Sequence, residues 1–261
     1  MRLSPSKIAT IFRCPREYAF QYLLNVKTKK SKPLLFGTAF HQALEGKEPD
    51  LVDLKALDPE YPFHSALRTM LAGHKAATAP LPPSMAREVV YETPEIKLVA
   101  DEFRVEDSGD WFLCENKTAS TLDENKRLML PNEIQMVCYA AHAPFIAETF
   151  WLDPAKFAGV IYMTSLKPME RRTKKETIDE FGARLTSTTH VWRYPVDKFR
   201  GVVDKWKTLT EFAEKRADEV QHVFDRDKGV DRLPCNSASC VRFGNRCPYF
   251  EVCLGVTIDV K

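Results

Sequence analysis

The chain has 261 residues, 44% of them hydrophobic and 28% charged, a globular balance that rules out wholesale disorder. No stretch supplies the ~18 uncharged apolar residues of a membrane helix; the best candidate, residues 134–147, contains Gln135, His142 and Pro144. The net charge of +2 hides an asymmetry, because residues 1–33 carry +7 and the remainder −5. Such a basic end suits either a polyanion partner or a solvated face.

The length allows one large domain or two small ones. The first residues lack the unbroken apolar run of a secretory signal. Seven cysteines, three of them close together near the end, suggest metal ligation rather than disulfides. A cytoplasmic protein is expected.

In chain order, Ser4-Pro5 reads as an N-cap with Pro at the first helical position, and Ile8, Ile11 and Phe12 share one face. Cys14-Pro15 restarts a helix carrying Tyr18, Tyr22 and Leu23. A basic linker at 27–33 precedes a short helix over 36–45. Residues 49–62 are Pro- and Asp-rich and predict a loop, and 63–78 predict a helix. The period then changes. Short β-prone runs at 89–91, 96–105 and 111–115 are separated by Thr93-Pro94 and by Asp107-Ser108-Gly109-Asp110, which predicts a meander. A helix over 132–147 and a buried strand over 159–164 follow. A basic insertion, 167–175, comes before a strand at 191–194 and a long charged amphipathic helix over 197–224. This order predicts a mixed sheet flanked by helices.

The sharpest local pattern is Asp101 followed by Glu115-Asn116-Lys117. Strand alternation puts Glu115 and Lys117 on one face and Asn116 on the other. Two carboxylates on neighbouring strands make a hard-oxygen pocket for Mg²⁺ or Mn²⁺. A lysine two residues on can orient water or neutralise charge on a phosphate. Alone, such a pattern is common on solvated hairpins. Its companions are His41, within Gly37-Thr38-Ala39-Phe40-His41, and the pair Gln135 and Tyr139, which project from one helix face. Each is bland singly, but their order along the chain is hard to obtain by chance.

Cys240, Cys247 and Cys253 are spaced C-x6-C-x5-C, with Cys235 just upstream. Clustered thiolates favour zinc or an iron–sulfur cluster. There is no C-x2-4-C knuckle at 240–253, so a ligand from elsewhere is needed, and Cys14 is the candidate. Cys114 and Cys138 read as buried structural thiols.

Taken together, LSPSKIATIFRCPREYAF, GTAFH, VADEF, ENK, QMVCY and the terminal cysteines resemble the RecB-like branch of the PD-(D/E)XK nucleases. The likeness is to its iron–sulfur members, which include AddB-type nuclease domains, CRISPR-associated adaptation nucleases and phage exonucleases. The resemblance implies a restriction-endonuclease-like α/β fold, a mixed sheet flanked by helices, in a single domain spanning 1–261. Within it, 1–33 would form a basic helical arm with Cys14, 34–230 the nuclease core, and 231–261 an iron–sulfur region closed by the N-terminal helix.

The implied activity is metal-dependent DNA exonuclease, on single strands or DNA ends, in recombination, repair or phage DNA metabolism. His41, Asp101, Glu115 and the Asn116 carbonyl would hold the catalytic Mg²⁺ or Mn²⁺, with Lys117, Gln135 and Tyr139 completing the site. Cys14, Cys240, Cys247 and Cys253 would hold a [4Fe–4S] cluster, leaving Cys235 dispensable. Lys27, Lys29, Lys30 and Lys32, with Arg171, Arg172, Lys174 and Lys175 of the insertion, are the expected phosphate contacts. No G-x-x-x-x-G-K-[ST] occurs, so no ATP-driven motor is expected here. Two rival readings are a non-catalytic nucleic-acid-binding module with structural zinc, and a subunit active only inside a recombination or CRISPR-adaptation complex.

Overall fold

The computed structural model describes residues 2–253 other than 29, 205, 228, 243 and 244. The chain divides into two compact units. One comprises Met1–Lys29, Tyr91–Leu98 and Gly201–Lys261, and the other Lys30–Val90 and Val99–Arg200. Among the described residues no helix is long and apolar enough to cross a membrane.

The second unit carries a sheet of five strands in sequential order: β1 (Ser84–Glu92), β2 (Lys97–Val105), β3 (Trp111–Ala119), β4 (Phe157–Leu166) and β5 (Thr189–Pro195). The outer ends of β1 and β2 belong to the first unit. Pairing is antiparallel for β2/β3 and β4/β5 and parallel for β3/β4. A parallel neighbour requires a crossover. Residues 120–156 supply it, with two helices, α6 (Glu124–Met129) and α7 (Ile134–Thr149).

One face of the sheet carries Phe112, Cys114, Ile161 and Met163. Helices α3 (Lys32–Leu44), α4 (Val52–Leu57), α5 (Phe63–Thr78) and α8 (Ile178–Arg184) form a second apolar cluster around Phe40, Phe63 and Met70, all at most 1% exposed. Each such side chain contributes roughly 1.5–3 kcal/mol on burial. Helix α7 covers the opposite face.

Several elements differ from the expectation. The predicted loop 49–62 contains α4, because docking Leu54 at 1% exposure into the cluster outweighs the Pro- and Asp-rich composition. Helix α8 is held by a Thr177/Glu180 capping box that hydrophobic periodicity does not reveal. The predicted helix 197–224 is broken into a 3-10 turn at Val196–Phe199, α9 (Arg200–Val203) and α10 (Trp206–Asp227).

In the first unit, α1 (Pro5–Arg13) starts at Ser4, whose side chain accepts from the Lys7 amide. Short α2 (Pro15–Tyr18) follows Cys14. The two chain ends meet. Arg16 donates to the carbonyls of Asp231 and Leu233, Asn236 donates to the Arg13 carbonyl at 2.9 Å, and Phe20 stacks on Tyr249 at 5.4 Å.

Candidate functional site

The antiparallel register of β2 and β3 runs from Val105↔Trp111 to Glu102↔Cys114 and stops there. At the next step the strands part, and Asp101 and Glu115 flank the opening. The Asn116 amide, left without a ladder partner on β2, donates to Asp101 Oδ2 at 2.5 Å. Strand divergence therefore creates the site by freeing backbone that a carboxylate then satisfies.

Glu115 is 1% exposed. One of its oxygens pairs with Lys117 Nζ, and Oε2 lies 2.5 Å from the Tyr139 hydroxyl. That hydroxyl also lies 2.7 Å from the Val99 carbonyl and accepts from Gln135 Nε2 at 2.8 Å. Lys117 donates to Gln135 Oε1 at 3.3 Å. The i, i+4 spacing on α7 and the i, i+2 spacing on β3 thus converge on one polar network. Burial opposes the charge on Lys117, but the Glu115 carboxylate outweighs it and raises the lysine pKa. Burial, reinforced by Glu115, pushes the Tyr139 hydroxyl up. It therefore stays a neutral hydrogen-bonding group.

His41 comes from α3. A Cβ on Gly37, one turn earlier, would sit 3.2 Å from Thr118 Oγ1, so the glycine lets α3 lie close to β3. His41 Nδ1 is 3.7 Å from Asp101 Oδ1. Burial, then the Lys117 charge, lowers the His41 pKa, leaving a neutral imidazole suited to ligation. Asp101 is held up to about 7 by burial and, second, by the Glu115 carboxylate.

Motif reading missed a polar layer behind this site. Arg104 donates twice to Glu102, and both are buried. His74, buried beside them, is lowered to about 4 by burial, and among the described residues its Nδ1 has no hydrogen-bond partner. Alternation along 100–104 puts Glu102 and Arg104 on the face opposite Asp101. That was the available signal.

Among the described residues no group of three or more His, Cys, Asp or Glu is gathered so as to hold a metal ion. His41 and Asp101 are adjacent, while Glu115 is turned toward Lys117 and Tyr139. The buried Glu115 carboxylate, the half-buried Asp101 carboxylate, an imidazole and a strand carbonyl are nevertheless a hard donor set. The burial and, second, the Glu115 charge that raise Asp101 are what a divalent cation offsets.

In the first unit, Cys235 Sγ lies 3.4 Å from Cys240 Sγ, with the Cys14 side chain as a further neighbour. Burial raises the Cys253 thiol to about 11, with further contributions from Cys235, Cys247 and Cys14. The Cys247 amide donates to the Cys240 carbonyl at 2.7 Å. Five thiols therefore share one neighbourhood, and Cys235, expected to be a bystander, is among them. Cys114 and Cys138, in the second unit, are fully buried at 0% exposure.

Among the expected phosphate contacts, Lys27, Lys30, Arg171, Lys174 and Lys175 are exposed. Lys29 lies outside the described residues. Lys32 serves the fold, pairing with Asp58 at 2.6 Å and lying over the Tyr61 and Phe63 rings. Arg172 is likewise engaged, with Glu60 and the Glu176 carbonyl.

The model of the PD-(D/E)XK nuclease superfamily matches residues 2–254. The chain belongs to the PD-(D/E)XK nuclease superfamily. No curated protein matches it in sequence. Among solved structures it is similar to a "Putative exonuclease" from Eubacterium rectale, at 12% identity and a TM-score of 0.53, over 100% of this chain and 90% of that one. Identity at that level speaks for the fold alone, and the five-stranded mixed sheet with flanking helices agrees with a restriction-endonuclease-like core.

Proposed function

We propose that this nuclease is a metal-dependent DNA exonuclease of the RecB-like, iron–sulfur-containing branch, acting on single strands or DNA ends in recombination, repair or phage DNA metabolism. The observation that carries the reading is the convergence of Asp101, Glu115 and Lys117 where β2 and β3 part, with His41 3.7 Å from Asp101. Bound by His41, Asp101, Glu115 and the Asn116 carbonyl, Mg²⁺ or Mn²⁺ would supply Lewis-acid polarisation of a phosphate oxygen and a more acidic water.

The chain's own groups do the rest. Lys117 carries a fixed positive charge to the phosphate, where negative charge grows as water adds to phosphorus and the P–O bond breaks. Tyr139 and Gln135 act through Glu115 and Lys117, holding both in place. The exposed Lys27, Lys30, Arg171, Lys174 and Lys175 would position the phosphate backbone without reading sequence.

Thiolates are the donors that a [4Fe–4S] cluster requires. Cys14, Cys240, Cys247 and Cys253 are the proposed ligands, and the cluster would tie the ends of the first unit together. The decisive test compares linear and covalently closed circular single-stranded DNA in Mn²⁺ and Mg²⁺. Progressive loss of the linear strand with survival of the circle supports the exonuclease. Equal cutting of both makes it an endonuclease, and no cutting of either leaves a nucleic-acid-binding module.

A further inference from the structure

Strand register carries the catalytic face beyond the residues already described. The parallel β3/β4 ladder sets Tyr162 opposite Glu115 and Thr164 opposite Lys117. The β4/β5 ladder then sets Trp192 opposite Tyr162 and His190 opposite Thr164. Directly opposed residues share a face of the sheet. Glu115, Tyr162 and Trp192 therefore form one row across three strands, and Lys117, Thr164 and His190 form the next.

The outer part of these rows is aromatic. Tyr162 is 2% exposed and forms a floor, and its ring centroid lies 6.2 Å from that of half-buried Trp192. His190 stacks on Trp192 with centroids 6.0 Å apart and planes 17° apart, which helps fix the indole.

Between this row and α6 lies a cavity of about 130 Å³, bounded by Lys117, Thr164, Tyr162 and Trp192 on the sheet side and by Arg127 and Leu130 on the other. Arg127 is anchored through its carbonyl, which accepts from the Tyr194 hydroxyl at 2.9 Å. Its guanidinium pairs with Glu124 through Nη2, and among the described residues its buried Nε has no hydrogen-bond partner. A cavity with a ringed wall, a hydroxyl, an unsatisfied donor and the catalytic lysine at its mouth matches a flat heteroaromatic group attached to a phosphate.

We infer that this cavity seats the unpaired base of the nucleotide next to the scissile phosphate, stacked on Trp192, with Arg127 donating to the base or its sugar. The inference rests on the nuclease reading of Lys117 and deepens it by assigning the residues that would hold an unpaired base. A base held in a duplex keeps both faces stacked and its edge paired, so only a single-stranded or frayed end can enter. Stacking on an aromatic face is tolerant of base identity. The site therefore selects for strandedness and not for sequence.

The test uses the full chain in EDTA, where binding is read without turnover, by fluorescence anisotropy of an internally labelled single-stranded oligonucleotide. Trp192→Ala is expected to weaken binding about tenfold, which is about 1.4 kcal/mol, whereas Trp192→Phe retains most of the affinity. On wild-type protein, removing the terminal base at one end of the oligonucleotide is expected to cause a loss similar to that of Trp192→Ala. On that abasic strand Trp192→Ala should cost nothing further. Blunt duplex should bind both proteins equally.

Unchanged single-strand affinity in folded Trp192→Ala, or an equal additional loss on the abasic strand, would overturn the inference. So would an abasic end that binds wild-type protein as well as the intact one, a comparison that needs no protein variant. Absence of cleavage in Mn²⁺ with the binding pattern intact would instead count against the nuclease reading alone.

Discussion

Asp101→Asn separates the cost of the proposed catalytic carboxylates from their use. The Asp101 carboxyl is held up to about 7 by burial, then by Glu115, against about 3.9 in an unfolded chain. Between those values the folded chain keeps a proton that the unfolded chain has lost, so metal-free stability falls as pH rises from about 4 to about 7. Three pKa units correspond to roughly 4 kcal/mol at full expression, and the asparagine can still accept the Asn116 amide through its carbonyl oxygen. Thermal unfolding in EDTA is the assay. At pH 8 Asp101→Asn should melt higher than wild type, by several degrees at roughly 2–4 °C per kcal/mol, and the gap should close toward pH 4. Added Mn²⁺ should raise the melting temperature of wild type but not of the variant. A gap independent of pH, or an asparagine variant less stable than wild type at pH 8, would refute the assignment of Asp101 as a strained, cation-requiring carboxylate.

Lys117→Ala should lower turnover by orders of magnitude with little change in Mn²⁺ affinity, measured by metal titration of the folded protein beside single-turnover cleavage. Tyr139→Phe should reduce cleavage less, and it should cost about 1–3 kcal/mol in urea denaturation, because it strips hydrogen bonds from buried Glu115 and the Val99 carbonyl. In anaerobically purified protein, Cys14→Ser should lose iron and visible absorbance and become less stable. Cys235→Ser should keep both; loss of iron there instead would make Cys235, 3.4 Å from Cys240, a ligand. Replacing Lys27 and Lys30 by neutral residues should reduce the salt slope of single-strand binding by about 0.7 each. Lys32→Ala should leave that slope unchanged and lower stability, since its charge already faces Asp58.

The proposed catalytic row was legible because it lies on regular structure. Alternation along β3 put Glu115 and Lys117 together, and helical spacing paired Gln135 with Tyr139. Other features depend on contacts that local pattern does not encode. The parting of β2 and β3 just past Glu102↔Cys114, which lets Asp101 take the Asn116 amide, is a matter of pairing partners. The opposition of Trp192 to Tyr162, and of Tyr162 to Glu115, depends on how strands far apart in sequence align. The intramolecular role of Lys32 arises because Asp58, Tyr61 and Phe63 fold back onto it. A lysine-rich segment looks equally free at every position until its neighbours are known. Helix α4 was hidden for the same reason, since one buried leucine decides it.

The central claim is that Asp101, Glu115 and Lys117 form a cation-dependent phosphodiesterase centre. End-labelled single-stranded DNA incubated with wild type and with Glu115→Ala, each in Mn²⁺ and in EDTA, tests it most directly. Wild type should degrade the strand in Mn²⁺ and leave it intact in EDTA. Glu115→Ala should bind the strand comparably and leave it uncut in both conditions. Cleavage by folded Glu115→Ala at the wild-type rate, or by wild type in EDTA, would contradict it.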